Sequence, residues 1–233
     1  MSMQQPITLA VDIGGTGLKV LCLNHEGRPL TERLRTPTPN PATPVRLLTA
    51  LDKLKAQMPA FDRVSVGYPG VIKQGVVMTA VNLNLKWVGY PLEAVLQKRW
   101  KKPVRVANDA AVQGLGAVSG RGIELILTLG TGMGSCLFVD GHMCPLELGH
   151  HPWRKKTYED YLGIRGLKKY GRKKWNKLLQ LAIAQTAAAF NWDHLYLGGG
   201  NTKFIRMEAR PEVTIVSNLD GLLGGVALWK SNQ

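Results

Sequence analysis

The sequence predicts an α/β fold in two related halves, and three observations carry that reading. The order strand, glycine turn, strand, turn occurs at Ile7–Gly27 and again at Leu125–Gly141. Helix-forming stretches separate the remaining short apolar strands. The length, 233 residues, suits one large domain or two small ones. Pattern alone also fits two unrelated β-hairpins with glycines at their tips; two related halves would set two phosphate-holding hairpins across one cleft.

Ile7–Ile13 reads as a buried strand running into Gly14 and Gly15, and Leu18–Asn24 as a second strand up to a turn at His25–Gly27. A strand after the glycines excludes the dinucleotide fingerprint and the P-loop, both of which need a helix N-terminus there to hold phosphate. The spacings G-x-G-x-x-G and G-x-x-x-x-G-K-[ST] are absent as well. "TPTPNPATP" (Thr36–Pro44) is extended, because each proline disfavours helix in the residue before it, and leads into a helix near Pro44–Met58. Val64–Val66 is a strand ending at "GYPG", Asn82–Tyr90 an irregular loop, and Leu92–Trp100 a helix. After a strand at Val104–Ala107, Asn108 is placed to cap a helix through Asp109–Val118. Leu125–Leu129, "GTGMGS" and Cys136–Val139 make the second hairpin. Ten Lys or Arg lie between Arg154 and Lys177, opposed by Glu159 and Asp160 alone. A helix at Lys177–Phe190, a strand at Leu195–Leu197, the turn "GGGN", a strand at Val213–Val216 and a helix at Gly221–Trp229 follow.

Composition narrows the function classes. The apolar fraction of 45% is ordinary, and no apolar run approaches the roughly 18 residues of a membrane span. The first residues lack the charged start of a signal peptide, so a soluble cytoplasmic protein without membrane attachment is expected. Cys22, Cys136 and Cys144 are few and widely spaced, which suggests apolar filling rather than a disulfide framework or metal knuckle. The formal charge of +14 attracts polyanions such as nucleic acid, anionic lipid or phosphate polymer, without choosing among them. No helix-turn-helix, zinc-finger or RNA-recognition signature is present, so no specific nucleic-acid partner is expected.

"DIGGTGLK", "NDAAVQGLGA", "LGTGMG", "ELGH" and "LGGGNTK" occur in an order and spacing that resemble the ROK sugar kinases, within the actin and hexokinase superfamily. "RLRTPTPNPATP", "GVVMTAVNLNLKWVG" and "YEDYLGIRGLKKYGRKKWNK" look more narrowly like the polyphosphate-dependent glucokinases of that family. The resemblance covers essentially the whole chain. It implies two ribonuclease-H-like (actin-like ATPase) lobes with mixed sheets around a central cleft. The boundaries expected are 1–106, with the helix at 221–233 packed against it, and 107–220. Where the family usually carries a cysteine-rich zinc motif, His150 is followed here by His151, Pro152 and Trp153, so no structural zinc is expected.

The same resemblance assigns roles. Asp109 matches the general base that accepts the sugar hydroxyl's proton during phosphoryl transfer, although an aspartate in a first helical turn is also explained by the helix dipole. Asn108, Asp109, Glu147, His150 and Glu159 match sugar-contacting positions, with Asn82 a further candidate that turn formation would equally explain. Asp12, Gly14, Gly15, Thr16 and Lys19 make the first phosphate loop, in which Asp12 would organise Mg2+ through water because a carboxylate repels phosphate. Gly130, Thr131 and Gly132 make the opposing loop. Gly198, Gly199 and Gly200 match the nucleotide turn used if ATP is the donor; tight-turn chemistry accounts for them as well. The implied partners are glucose and inorganic polyphosphate, with ATP as second donor, in a homodimer. A strictly ATP-dependent glucokinase, a non-catalytic sugar sensor and a nonspecific polyanion binder remain the alternatives.

Overall fold

A computed structural model describes residues 5–81, 83–216 and 220–230, with the side chains of 220–222 left aside. The chain divides into two compact units, 1–116 with 221–232, and 117–220. In the first, β1 (Thr8–Ile13), β2 (Gly17–Leu23) and β3 (Leu34–Pro37) form an antiparallel meander. The helix α1 (Pro44–Lys55), the strand β4 (Arg63–Tyr68), a small ribbon of β5 (Ile72–Lys73) and β6 (Val76–Val77), α2 (Leu92–Trp100), β7 (Val104–Asn108) and α3 (Asp109–Leu115) follow. β4 joins β1 in parallel and β7 joins β4 in parallel, giving the order β3-β2-β1-β4-β7.

The second unit repeats the plan. β8 (Ile123–Leu129), β9 (Met133–Val139) and β10 (His142–Leu146) are an antiparallel meander. A two-stranded ribbon, β11 (Pro152–Trp153) and β12 (Lys156–Thr157), leads to α4 (Tyr158–Leu162) and α5 (Ile164–Phe190). The strands β13 (His194–Gly198) and β14 (Val213–Ile215) extend the sheet in parallel, giving β10-β9-β8-β13-β14. The same strand order with the same mixture of directions is the structural form of the duplication read from the glycine hairpins. A final helix, α6 (Asp220–Ala227), returns to the first unit.

The central strands are buried along nearly their whole length, polar residues such as Thr8, Ser65 and Glu124 included, because both of their faces are covered. Leu9, Val11 and Ile13 of β1 face a core with Leu47, Leu51 and Trp87, while Ala10 points the other way, onto Val226 of α6. In the second unit Leu125, Leu127 and Leu129 pack with Trp175, Leu179 and Ile183 of α5. Fully burying a side chain of this size is worth about 1.5–3 kcal/mol, so these clusters dominate the stability of each unit.

Several elements differ from expectation for identifiable reasons. The end of β7 and all of α3, with Asn108 and Asp109, lie in the first unit rather than the second, because β7 pairs with β4 from Val64–Val104 to Tyr68–Asn108. α5 starts at Ile164, not Lys177: lysine and arginine are good helix formers, and Leu167, Trp175 and Leu178 keep an apolar face through the basic stretch. It is two helical segments meeting at Gly171, whose φ of 71° is left-handed. The proline-rich segment supplies β3, an edge strand, where the missing N–H is tolerated. Cys22 and Cys136 are buried as expected, whereas Cys144 is exposed on the edge strand β10. Among the described residues no helix is long and apolar enough to cross a membrane.

Candidate active site

In the first unit the residues of interest sit at the C-terminal ends of three neighbouring parallel strands, the usual ligand end of such sheets. Asp12 of β1 is level with Gly67 of β4, and Gly67 with Ala107 of β7. A Cβ at Gly67 would lie 3.3 Å from the Asp109 Cα, so a bare backbone there lets the start of α3 come close. Asn108 caps α3: its Oδ1 accepts from the Ala110 and Ala111 N–H groups at 2.8 and 3.3 Å, and its Nδ2 donates to the Gly70 carbonyl at 3.2 Å. The helix therefore has its cap from Asn108, and Asp109 occupies the first turn half-buried.

The β1–β2 turn is closed by the Gly14 N–H on the Gly17 carbonyl at 3.0 Å, and a Cβ at Gly14 would stand 2.9 Å from that oxygen. Thr16 is exposed at the tip. Asp12 and Lys19 are cross-strand partners, and Lys19 Nζ donates to Asp12 Oδ2 at 2.6 Å. The turn is also held from β3 and the residue after it, which sequence reading missed: the Thr38 hydroxyl donates to the Gly14 carbonyl, and the Arg35 side chain of β3 covers Gly17. The proline-rich string held these residues, but the pairing that brings them to the loop is long-range. Asn82 lies outside the described residues.

In the second unit the β8–β9 turn, Gly130–Gly132, is one residue shorter and is closed by the Gly130 N–H on the Gly132 carbonyl at 3.0 Å. Glu147, His150 and Glu159 come together beside it. His150 Nε2 is 3.7 Å from Glu147 Oε2, and the Glu159 charge acts on Glu147. Glu159, 5% exposed, is set at the start of α4, where Thr157 and Asp160 cap each other reciprocally. The stretch between His150 and Glu159 is held by ring packing: Trp153 stacks on Tyr158 at 4.6 Å and meets Tyr161 edge-on at 5.2 Å. Gly199, at φ 90°, lies so close to β8 that a Cβ would be 2.4 Å from the Leu129 carbonyl oxygen, which accounts for the glycine turn after β13. No group of three His, Cys, Asp or Glu side chains converges as a metal site among the described residues.

Burial pushes the Glu147 carboxyl up, His150 opposes this, and Glu159 adds to it. A folded value above the unfolded one means that the folded chain binds this proton more readily. Stability then declines as pH rises from the ordinary value of 4.5 through the folded value, and the penalty remains at neutral pH. Glu147→Gln is therefore expected to melt at a higher temperature than the parent at pH 7, with the gap closing as pH falls below the ordinary carboxylate range. Melting curves across pH check this, and a variant less stable than the parent at pH 7 would refute it.

Comparison with known proteins follows the same outline. The chain is 28% identical over 202 residues to a polyphosphate glucokinase of Mycobacterium tuberculosis, covering 82% of this chain and 76% of that protein. Against the polyphosphate glucokinase of Mycobacterium leprae it is 28% identical over 201 residues, 82% of this chain but 62% of that protein's length. Among solved structures, the inorganic polyphosphate/ATP-glucomannokinase of Arthrobacter sp. strain KM superposes with a TM-score of 0.86 at 31% identity, covering 97% of this chain and 100% of that one. A ROK glucokinase of Streptomyces griseus shares the fold, with a TM-score of 0.79 at 20% identity over 95% of this chain and 98% of that one. The ROK family profile matches residues 8–159. On its duplicated mixed-sheet fold, its motifs and this match, the chain belongs to the ROK family.

Proposed function

We propose that this protein is a sugar kinase that transfers a phosphoryl group from inorganic polyphosphate, and with lower preference from ATP, to the 6-hydroxyl of glucose. Asp109 on the first unit is the base: as the hydroxyl oxygen bonds to phosphorus, its proton passes to the carboxylate, and polyphosphate leaves one unit shorter. Asn108, Glu147, His150 and Glu159 bind the sugar hydroxyls, directional contacts that suit a neutral polyol. The two glycine turns hold the donor through backbone N–H groups. Asp12 fits a role in holding Mg2+ through water: it is half-buried at the loop entrance, and a single carboxylate suffices for an ion that keeps most of its water. When bound, the ion neutralises charge on the transferring group. On this reading the protein works in the cytoplasm, as a homodimer.

One observation carries the choice of donor. All ten basic residues from Arg154 to Lys177 are exposed, and the helix that bears seven of them, α5, begins on the second phosphate loop, where the Ile164 N–H donates to the Gly130 carbonyl at 2.9 Å. A row of cations that starts at a phosphate loop suits a polymeric donor. The named activities of the mycobacterial and Arthrobacter relatives support the same reading. ATP as the second donor rests on the match of Gly198–Gly200 to the nucleotide turn of the family and on the ATP named for the Arthrobacter relative.

Glucose 6-phosphate formation, measured with each donor alone, tests this. Product is expected with polyphosphate, and its KM is expected to rise steeply with salt, because binding releases the cations condensed on the polyanion, with a weaker rise for ATP. No product from polyphosphate would overturn the donor assignment, and none from either donor would leave a sugar sensor or a polyanion binder.

A further inference from the structure

The carboxylate of Glu159 does more than face a sugar. Its Oε2 accepts from the Met133 N–H at 3.3 Å, and its Oε1 accepts from Arg165 Nη2 at 3.2 Å. It presses so closely on the second phosphate loop that a Cβ at Gly132 would lie 2.1 Å from Oε2. The rest of the turn is gripped from the same side. A Cβ at Gly163 would be 2.9 Å from the Thr131 carbonyl oxygen, and the Gly130 carbonyl accepts from the Ile164 N–H and from Asn201 Nδ2, each at 2.9 Å. From Gly130 to Met133, each residue is thus in contact with the α4–α5 junction or held by a group bonded to it. The one side chain that bonds this end of the turn from α4 is the Glu159 carboxylate, beside the backbone of Gly163, where a Cβ would lie 3.2 Å from the Gly132 Cα.

Arg165 is exposed, and its guanidinium also lies 3.9 Å from Asp160 Oδ1. It bonds the Glu159 oxygen that faces away from the loop, while the Met133 N–H holds the other. A bare glycine at 132 leaves the turn little rigidity of its own, so its shape depends on that support.

Resting on the kinase reading above, we propose that Arg165 is a positioning residue. It holds Glu159 so that this one side chain serves the sugar and props the Gly130–Met133 turn for the phosphoryl donor, which couples the two substrates. Coupling of this kind is reciprocal: whatever sugar does for donor affinity, donor does for sugar affinity.

The test is Arg165→Met, with Arg165→Lys as the conservative variant. It combines steady-state kinetics with glucose against ATP and against polyphosphate, at low and high salt, and amide hydrogen exchange over residues 129–135. Arg165→Met is expected to raise the KM of both donors by about 5-fold or more at either salt, with kcat falling less than about 3-fold. Amide exchange at Gly132 and Met133 should quicken, and Arg165→Lys should recover at least half of each change. Unchanged exchange together with unchanged donor KM would overturn the proposal. So would a KM change confined to polyphosphate and abolished by salt, which would make Arg165 one more cation of the basic row. If the parent turns over neither donor, the kinase reading fails by itself, and the exchange measurement still decides whether Arg165 positions the loop.

Discussion

Asp109→Asn leaves the protein folded and lowers turnover by at least about 100-fold, the usual contribution of a general base in proton transfer. The competing explanation of Asp109 is that its charge merely suits the N-terminus of α3. That explanation predicts a different result: a stability loss of about 0.3–1 kcal/mol and no rate effect of its own. The structure sharpens the contrast, because Asn108 already supplies the cap through Ala110 and Ala111. Asparagine keeps the size and hydrogen-bonding reach of the side chain while removing its basicity. Initial rates with saturating glucose and either donor, set beside melting curves of parent and variant, separate the two accounts. Activity above about a tenth of the parent's would remove the assignment.

Gly224→Ala is expected to destabilise the protein by about 2 kcal/mol or more, as forced overpacking against rigid atoms does. Helix propensity alone argues the opposite sign, since alanine is about 1 kcal/mol better than glycine inside a helix. Packing decides. A Cβ at Gly224 would lie 1.8 Å from the Val112 carbonyl oxygen and 2.8 Å from the Gly116 nitrogen, both backbone atoms that cannot turn aside. At the neighbouring Gly225 the nearest atoms would be Ser65 Cβ at 3.2 Å and Ala10 Cβ at 3.3 Å, so Gly225→Ala should cost less than about 1 kcal/mol. Urea unfolding of both variants measures the difference. A Gly224→Ala midpoint at or above the parent's would show that α6 does not seat as described.

Much of this was legible in the sequence because the signals were local. Glycines between two apolar runs specify a hairpin whatever surrounds them, and both hairpins formed at the expected places, as β1–β2 and β8–β9. Asn108 before a helix is likewise a local signal, and it does cap α3. The candidate residues Glu147, His150 and Glu159 came from family motifs rather than periodicity, and they meet beside one turn. What escaped notice depends on distant partners. Leu34–Pro37 has no strand pattern of its own and becomes β3 by pairing with β2. Arg165 looked like one of ten surface cations, and its ion pair with Glu159 became visible only once the α4–α5 turn had folded the chain back on itself. The expected boundary at 107 cut the end of β7 and α3 from the first unit for the same reason, since a parallel pairing with β4 leaves no mark in either strand.

The way α6 is fastened has a consequence for biosynthesis. Trp229 donates from Nε1 to the Ser65 hydroxyl at 2.8 Å under the guanidinium groups of Arg63 and Arg105, and Val226 covers Ala10, Leu21 and Leu23. These residues emerge from the ribosome only after the whole of 117–220. The unit begun first is therefore completed second: α3 already lies on β4 and β7, but Ala10, Leu21 and Leu23 wait uncovered while the inserted unit, continuous in sequence, is free to fold. A nascent chain stalled before α6 would carry a finished second unit and a sticky unfinished first one, the kind of intermediate that chaperones bind.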